Sequence, residues 1–95
     1  GTNPEELIGA AHAACFTMQV SANLSEKGHN PVELKTKAEV TLENKTVTHS
    51  HLILTAKVPG LDRSKFDELV QDAKENCIIS RLLKAEITVD ITLND

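Results

Sequence analysis

The chain has 95 residues, the length of one small domain, and we predict a single domain over residues 1–95. Hydrophobic residues make up 40% of the chain and charged residues 25%, a composition that argues against a disordered chain and against a coiled coil. The formal charge of −4 repels phosphate backbones, and no run of Lys and Arg offsets it locally, so nucleic-acid binding is disfavoured.

The first predicted element is a long helix from Pro4 to about Lys27. Asn3 is suited to the N-cap, Pro4 to the first helical position, and Glu6 to the returning half of a capping box. Apolar residues then occupy nearly every side of the helical wheel, which predicts a helix enclosed by protein. Gly28 is placed to end this helix.

Two alternating segments follow, and they predict a long antiparallel hairpin. The first alternates from Val32 to Glu43, and a polar connection at Asn44 and Lys45 leads to the second, which ends before Pro59. In the second segment the residues expected to point inward are Leu52, Leu54, Ala56 and Val58.

A second helix is predicted after a cap at Asp62 or Ser64. It carries an apolar stripe whose members are Phe66, Leu69, Val70, Ala73 and Cys77. A short helical segment over residues 78–84 and a closing strand over residues 87–93 complete the chain. Three strands leave two open sheet edges, so we expect a partner subunit, or a further segment of the natural protein, to cover them.

The two cysteines, Cys15 and Cys77, are 62 residues apart, which is the spacing of neither a metal knuckle nor a CxxC motif. Two cysteines are too few for a disulfide-rich secreted domain, so we expect a reducing, cytoplasmic location. Either both thiols are buried and inert, or one is a peroxidatic thiolate and the other resolves its sulfenic acid. The second interpretation requires Cα atoms within roughly 7 Å and a cation or strong donors near the attacking sulfur.

Other polar residues offer weaker signals. Glu5 could orient a cation against a thiolate, but ten residues along one helix span roughly 15 Å. If Glu5 serves a thiol, we therefore predict that it serves the thiol of a second subunit, across two first helices packed antiparallel.

The histidines could be imagined as metal ligands. His12 shares a helix face with Cys15, and His49 and His51 share a strand face. No carboxylate or further cysteine completes a ligand set at a familiar spacing, so we expect surface or buffering histidines and no metal. The longest apolar stretch, residues 7–20, is shorter than the ~20 residues of a membrane span, so we expect no membrane partner.

Two segments resemble the motifs of the OsmC/Ohr family (osmotically inducible protein C and organic hydroperoxide resistance), and are closest to its OsmC branch. The first segment is GTNPEELIGAAHAACF, over residues 1–16, and the second is NCIISRLLKAEI, over residues 76–87. The likeness covers nearly the whole chain, and two long motifs at the family's separation are more specific than either cysteine alone.

The resemblance implies an α+β, OsmC-like fold: a long buried central helix and a second helix packed on an antiparallel sheet, in an intertwined homodimer. It also implies a thiol-dependent peroxidase for organic and inorganic hydroperoxides, in oxidative or osmotic stress defence, with Cys15 peroxidatic, Cys77 resolving and Glu5 positioning an arginine. The reductant would be a dithiol or a lipoylated protein, and no cofactor or metal would be needed. Phe16 and Met18 would line an apolar approach for the substrate. The alternative is a non-catalytic dimerisation or ligand-binding module with inert thiols.

Two features depart from the family pattern. The family's thiolate-stabilising arginine lies in an N-terminal β segment ahead of the first motif, which is where this sequence starts. We therefore expect residues 1–95 to be the C-terminal two-thirds of a longer family domain, or a degenerate relative with a slow thiol. Ile78 stands where relatives commonly have proline, which affects the expected backbone geometry around Cys77.

Overall fold

The computed structural model describes residues 3–95, so Gly1 and Thr2, the first two residues of the first motif, lie outside the described residues. The predicted order of helices and strands is confirmed. The elements are α1 (Pro4–Glu26), β1 (Glu33–Glu43), β2 (Thr46–Lys57), α2 (Arg63–Asn76), α3 (Ile78–Leu82) and β3 (Glu86–Leu93).

Helix α1 is bounded by strong local signals at both ends. The Asn3 side chain accepts a hydrogen bond from the Glu6 backbone N–H at 2.8 Å, and its amide donates to the Glu6 carboxylate at 3.2 Å. At the other end Gly28, with φ +79°, and the following residue donate backward to the carbonyls of Ser25 and Leu24, which is a Schellman motif. These caps define a continuous helix of 23 residues.

Strands β1 and β2 form the predicted antiparallel hairpin. Asn44 and Lys45 make the connection with φ of 49° and 64°, the left-handed pair that a two-residue type I′ turn requires. The register shifts between Thr41 and Leu42, close to this turn. The inward residues predicted for the second segment are also confirmed: Leu52, Leu54 and Ala56 of β2 and Val58, just beyond its end, are all buried.

The prediction of a wholly antiparallel sheet is wrong, because β3 pairs with β2 in parallel. The sheet order is β1-β2-β3. The cause is the connection between β2 and β3, which contains α2 and α3 and returns the chain to the end of the sheet where β2 began. A crossover of this length produces a parallel pair, whereas a tight turn would have produced an antiparallel one.

The core lies between the sheet and the helices. Its largest buried apolar side chains are Phe16, Val20 and Leu24 from α1, Leu52 and Leu54 from β2, and Phe66 and Val70 from α2. The predicted stripe of α2 is confirmed, with Leu69 half-buried at its edge.

The prediction that α1 is enclosed on all sides is not met within one chain. Helix α1 contacts β1, β2, α2 and α3, which cover one face of it. The other face leaves Leu7 and Met18 exposed, and Ile78 and Leu82 of α3 are also exposed. Among the described residues, no helix combines the length and the apolar character that crossing a bilayer requires.

Candidate functional site

The two cysteines meet in space although 62 residues separate them in the chain. Cys15 lies in the middle of α1, and Cys77 lies between α2 and α3. Their Sγ atoms are 2.7 Å apart, and both thiols are free. The requirement that the two side chains be directed at one another is therefore met.

The sequence of α2 explains why Cys77 points inward. Phe66, Val70 and Ala73 place one face of α2 in the core, and the spacing of four residues carries Cys77 onto the same face. At Cys77 the backbone is extended, with φ −59° and ψ 133°, so α2 ends there and α3 begins at Ile78. Ile78, which follows Cys77, therefore leaves the sulfur directed at Cys15.

A buried amide fixes α1 against α2. The Asn23 side chain donates to the Leu69 carbonyl and to the Asp72 carboxylate, both at 2.9 Å. A buried amide without partners would cost about 1–3 kcal/mol, so these bonds favour one alignment of the two helices. No sequence pattern indicates this contact, because nothing around Asn23 distinguishes it from a surface residue.

The two thiols differ in their surroundings. Cys15 is half-buried, whereas Cys77 is completely buried. Burial raises the pKa of the Cys77 thiol, and its hydrogen bond with Cys15 raises that pKa further. The amides of Ile79 and Ser80 and the Ser80 hydroxyl act in the opposite direction, but the effect of burial is larger. Cys77 is therefore held as a neutral thiol at neutral pH.

An open groove of about 510 Å³ leads to Cys15. Its lining is mainly apolar and includes Ala11, Ala14, Cys15, Met18, Ile78 and Ile79. Phe16, expected to share this lining with Met18, instead has no exposed surface and packs in the core beneath α1. Of the two predicted substrate contacts, only Met18 lies on the groove.

The expectation of a surface position for His12 is wrong. This residue is fully buried, one helical turn before Cys15. Its Nδ1 atom shares a hydrogen bond of 2.7 Å with the Ser50 hydroxyl of β2, and its Nε2 atom shares one of 2.8 Å with the Ser80 hydroxyl of α3. Burial lowers the pKa of His12, so the ring is neutral at pH 7.

The sequence does contain a usable signal for the burial of His12. Phe16, Val20 and Leu24 follow it at intervals of four residues, so His12 continues the buried stripe of α1. The apolar residues on the remaining faces obscure this stripe. No such signal exists for Ser50 or Ser80, which only the tertiary fold brings to the ring.

The two histidines of β2, His49 and His51, lie on the opposite, outer face of the sheet. His49 and His51 both hydrogen-bond to the Thr88 hydroxyl, and His51 also pairs with the Asp90 carboxylate at 3.0 Å. Within residues 3–95, no three His, Cys, Asp or Glu side chains are arranged to hold a metal ion.

Glu5 and the two arginines of the chain, Arg63 and Arg81, make no hydrogen bond to either sulfur in the described residues. Glu5 lies in the first turn of α1, roughly 15 Å along the helix axis from Cys15. Arg63 pairs with Asp67 at the start of α2, and Arg81 is exposed on α3. In the part of the chain that the structure describes, neither sulfur is hydrogen-bonded to a cation.

Comparison with known proteins identifies relatives over almost the whole chain. Residues 1–92 match the family described as OsmC-like protein. The chain is 50% identical over 97 aligned residues to the peroxiredoxin OsmC of Escherichia coli, an alignment that covers 98% of the chain and 68% of that protein. It is 30% identical to the organic hydroperoxide resistance protein of Xanthomonas axonopodis, with 98% of the chain and 67% of that protein covered.

Solved structures share the fold. An OsmC-like protein from Mycoplasma pneumoniae superposes with a TM-score of 0.88 at 15% identity, covering all of the chain and 74% of that protein. The organic hydroperoxide resistance protein OhrB of Bacillus subtilis superposes with a TM-score of 0.69 at 26% identity, covering 97% of the chain and 71% of that protein. The arrangement of helices on a mixed sheet is therefore the arrangement found in these proteins.

Proposed function

The chain belongs to the OsmC-like protein family, and on that premise we propose that it is a thiol-dependent peroxidase that reduces organic and inorganic hydroperoxides. The names of its relatives, a peroxiredoxin and organic hydroperoxide resistance proteins, support a role with hydroperoxides. The single observation that carries the proposal is the distance of 2.7 Å between the sulfurs of Cys15 and Cys77.

The difference in burial supports the assignment of roles. Cys15 lines the open groove, so a dissolved peroxide can reach its sulfur, whereas Cys77 has no exposed surface. A peroxidatic cysteine must meet the substrate, but a resolving cysteine needs only to meet the first sulfur. We therefore assign Cys15 as the peroxidatic residue and Cys77 as the resolving residue.

The proposed reaction has two oxidative steps. In the first, the Cys15 thiolate attacks one peroxide oxygen, the O–O bond breaks, and the departing alkoxide takes up a proton and leaves as an alcohol. Cys15 becomes a sulfenic acid and the peroxide is reduced by two electrons. In the second, the Cys77 sulfur attacks the Cys15 sulfur, an S–S bond forms, and the hydroxyl group leaves with the Cys77 proton as water. A dithiol or lipoylated-protein reductant then restores both thiols by exchange.

The groove suits a hydroperoxide with an alkyl or acyl chain. Met18, Ile78 and Ile79 offer apolar surface beside Cys15, and Met adapts its shape to irregular partners. A chain of carbon atoms placed on this surface would bring its peroxide group to the sulfur. Two free thiols of this kind also fit a reducing compartment such as the cytoplasm.

We infer that the exposed face of α1 and α3 is covered by a second copy of the chain. Leu7, Met18 and Leu82 are each more than half exposed, an unusual surface for a soluble domain of this size. A second copy would also bring its own Glu5 toward Cys15, since the Glu5 of the same helix lies roughly 15 Å away along the axis. In that position Glu5 would orient the cation that holds Cys15 ionised.

The test is a titration of free thiols against one equivalent of tert-butyl hydroperoxide. We expect both thiols to be lost together in the unaltered protein, with a mass decrease of about 2 Da for an intramolecular disulfide. Cys15→Ser should leave Cys77 unreacted. Cys77→Ser should lose one thiol and stop at the sulfenic acid.

Serine is the matched replacement for both residues, because it keeps the size of the side chain and removes only the sulfur chemistry. Loss of Cys77 in the Cys15→Ser protein would reverse the assigned roles. Two thiols that survive excess peroxide would remove the proposed activity and leave the non-catalytic module as the account of this chain.

A further inference from the structure

We propose that His12 accepts the proton of the Cys77 thiol, through the Ser80 hydroxyl, as the Cys15–Cys77 disulfide forms. This inference rests on the proposed peroxidase function and assigns a residue to its second step. It gives a role to a buried, titratable group that the assignment of the two cysteines leaves unused.

His12 is linked to the reacting pair through both α1, which carries Cys15, and α3, which follows Cys77. On α1, His12 precedes Cys15 by three residues, so the two side chains lie on neighbouring positions of one turn. On α3, Ser80 follows Cys77 by three residues, and Cys77 is the N-cap of that helix. Cys77 makes no side-chain capping bond, but Ser80 belongs to the first turn of the helix that Cys77 precedes.

The hydrogen bonds of His12 form a chain whose direction depends on the tautomer of the ring. The imidazole ring joins Ser50 on β2 to Ser80 on α3, with 2.7 Å and 2.8 Å between the bonded atoms. In one tautomer Nδ1–H donates to Ser50, and Nε2 accepts from the Ser80 hydroxyl. The Cys77 thiol donates to the Cys15 sulfur in this structure, and the Ser80 hydroxyl is also within hydrogen-bonding reach of the Cys77 sulfur. Once the thiol turns from Cys15, the Ser80 oxygen can accept its proton. In this tautomer a proton can move from sulfur to oxygen and from oxygen to nitrogen.

The chemistry of the second step calls for such a base. Cys77 is held neutral by burial, and a thiol attacks far more slowly than a thiolate. Only burial lowers the pKa of His12, and no charged side chain from α1, β2 or α3 contributes to it, so the ring is neutral and able to accept a proton. An imidazolium is a stronger acid than a thiol, so transfer of the proton to His12 is unfavourable before the sulfur attacks. The proton therefore moves as the S–S bond forms, and it then leaves with the departing hydroxide as water.

The step-resolved test is a single-turnover reaction quenched with acid and N-ethylmaleimide and read by intact mass. This readout separates reduced protein, sulfenic acid and disulfide, and it is needed because the chain has no Trp or Tyr to report by fluorescence. His12→Gln keeps a side chain that can hydrogen-bond to both serines but cannot accept the proton. We expect it to slow disulfide formation about 100-fold, the scale of general-base catalysis, while sulfenic acid forms at the unaltered rate.

Ser80 supplies a matched pair of variants. Ser80→Ala removes the bridging hydroxyl and should slow disulfide formation to a similar extent, whereas Ser80→Thr retains it and should restore the rate to within a few-fold. His29→Gln, a change at a histidine beyond the end of α1, should leave both steps unaltered. If His12→Gln fails to fold, the two Ser80 variants decide the question.

The dependence of the second step on pH distinguishes a base from a support. Without the base, attack depends on ionisation of Cys77 by solvent, so the rate in His12→Gln should rise about tenfold per pH unit below the thiol pKa. If the substitution only displaced Cys77, disulfide formation would be slower than in the unaltered protein by the same factor at every pH. That parallel loss, or disulfide formation at the unaltered rate in His12→Gln, would overturn the relay. A protein that never forms sulfenic acid would instead overturn the peroxidase proposal.

Discussion

Oxidation of the cysteine pair should make the protein much more resistant to unfolding. A bond between Cys15 and Cys77 closes a loop of 62 residues. The lost freedom of the unfolded chain corresponds to about 4 kcal/mol for a loop of this length. Because the two sulfurs already lie 2.7 Å apart in the reduced protein, little of that gain should be lost to rearrangement of the folded state.

The measurement compares urea unfolding of the reduced and oxidised proteins, followed by far-ultraviolet circular dichroism at one fixed protein concentration. For a slope of about 1–2 kcal/mol per molar urea, the midpoint should rise by about 2–4 M on oxidation. The Cys77→Ser protein, treated with the same single equivalent of tert-butyl hydroperoxide, should show no rise. An oxidised protein that is no more stable than the reduced one would refute the claim that the pair is positioned to close without distortion.

Three further predictions concern the buried histidine and the exposed face. Ser50→Ala leaves Nδ1 of His12 without its buried partner and should lower the free energy of unfolding by about 1–3 kcal/mol; a loss below about 0.5 kcal/mol would contradict the hydrogen bond. Burial lowers the pKa of His12, so at acidic pH the unfolded state binds a proton that the folded state does not. The free energy of unfolding should therefore fall as pH falls below ~6.5, and His12→Gln should remove that part of the decrease. Met18→Glu should shift sedimentation from the proposed dimer to the monomer, whereas Gln71→Glu on the exposed side of α2 should leave it unchanged.

The elements of this fold are predicted well from the sequence, because their signals are local. The Asn3 cap, the polar connection at Asn44 and Lys45, and the alternation along β1 and β2 each depend on residues a few positions apart. The direction of β3 depends on how α2 and α3 return the chain across the sheet. Alternation alone is the same for a parallel and an antiparallel strand, so that feature could not be predicted from periodicity.

The candidate site divides in the same way. The inward direction of Cys77 follows from the spacing of the α2 stripe, and its position is predicted correctly. The meeting of Cys15 and Cys77 is different, because it depends on the packing of three helices, which no local pattern in the sequence specifies. The burial of His12 is hidden by the apolar residues that occupy every side of its helical wheel. Its serine partners come from elements 38 and 68 residues away.

The cysteines are held together by directional bonds around Cys15 rather than by burial alone. Apolar contact is proportional to area and has no preferred direction, so it can dock α1 without setting its position along the axis. Three polar side chains of α1 supply that setting. His12 bonds to β2 and α3, Thr17 bonds to the Thr36 hydroxyl of β1 at 2.6 Å, and Asn23 bonds to α2.

These hydrogen bonds lie on both sides of Cys15 along α1, and they connect the helix to β1, β2, α2 and α3. A shift of one residue along the axis, about 1.5 Å, would break all three sets of bonds at once. The same shift would change the buried apolar area little, because apolar residues occupy most positions of this helix. The short sulfur–sulfur distance therefore depends on buried and half-buried polar residues that contain no sulfur, and His12 belongs both to this alignment and to the proposed chemistry.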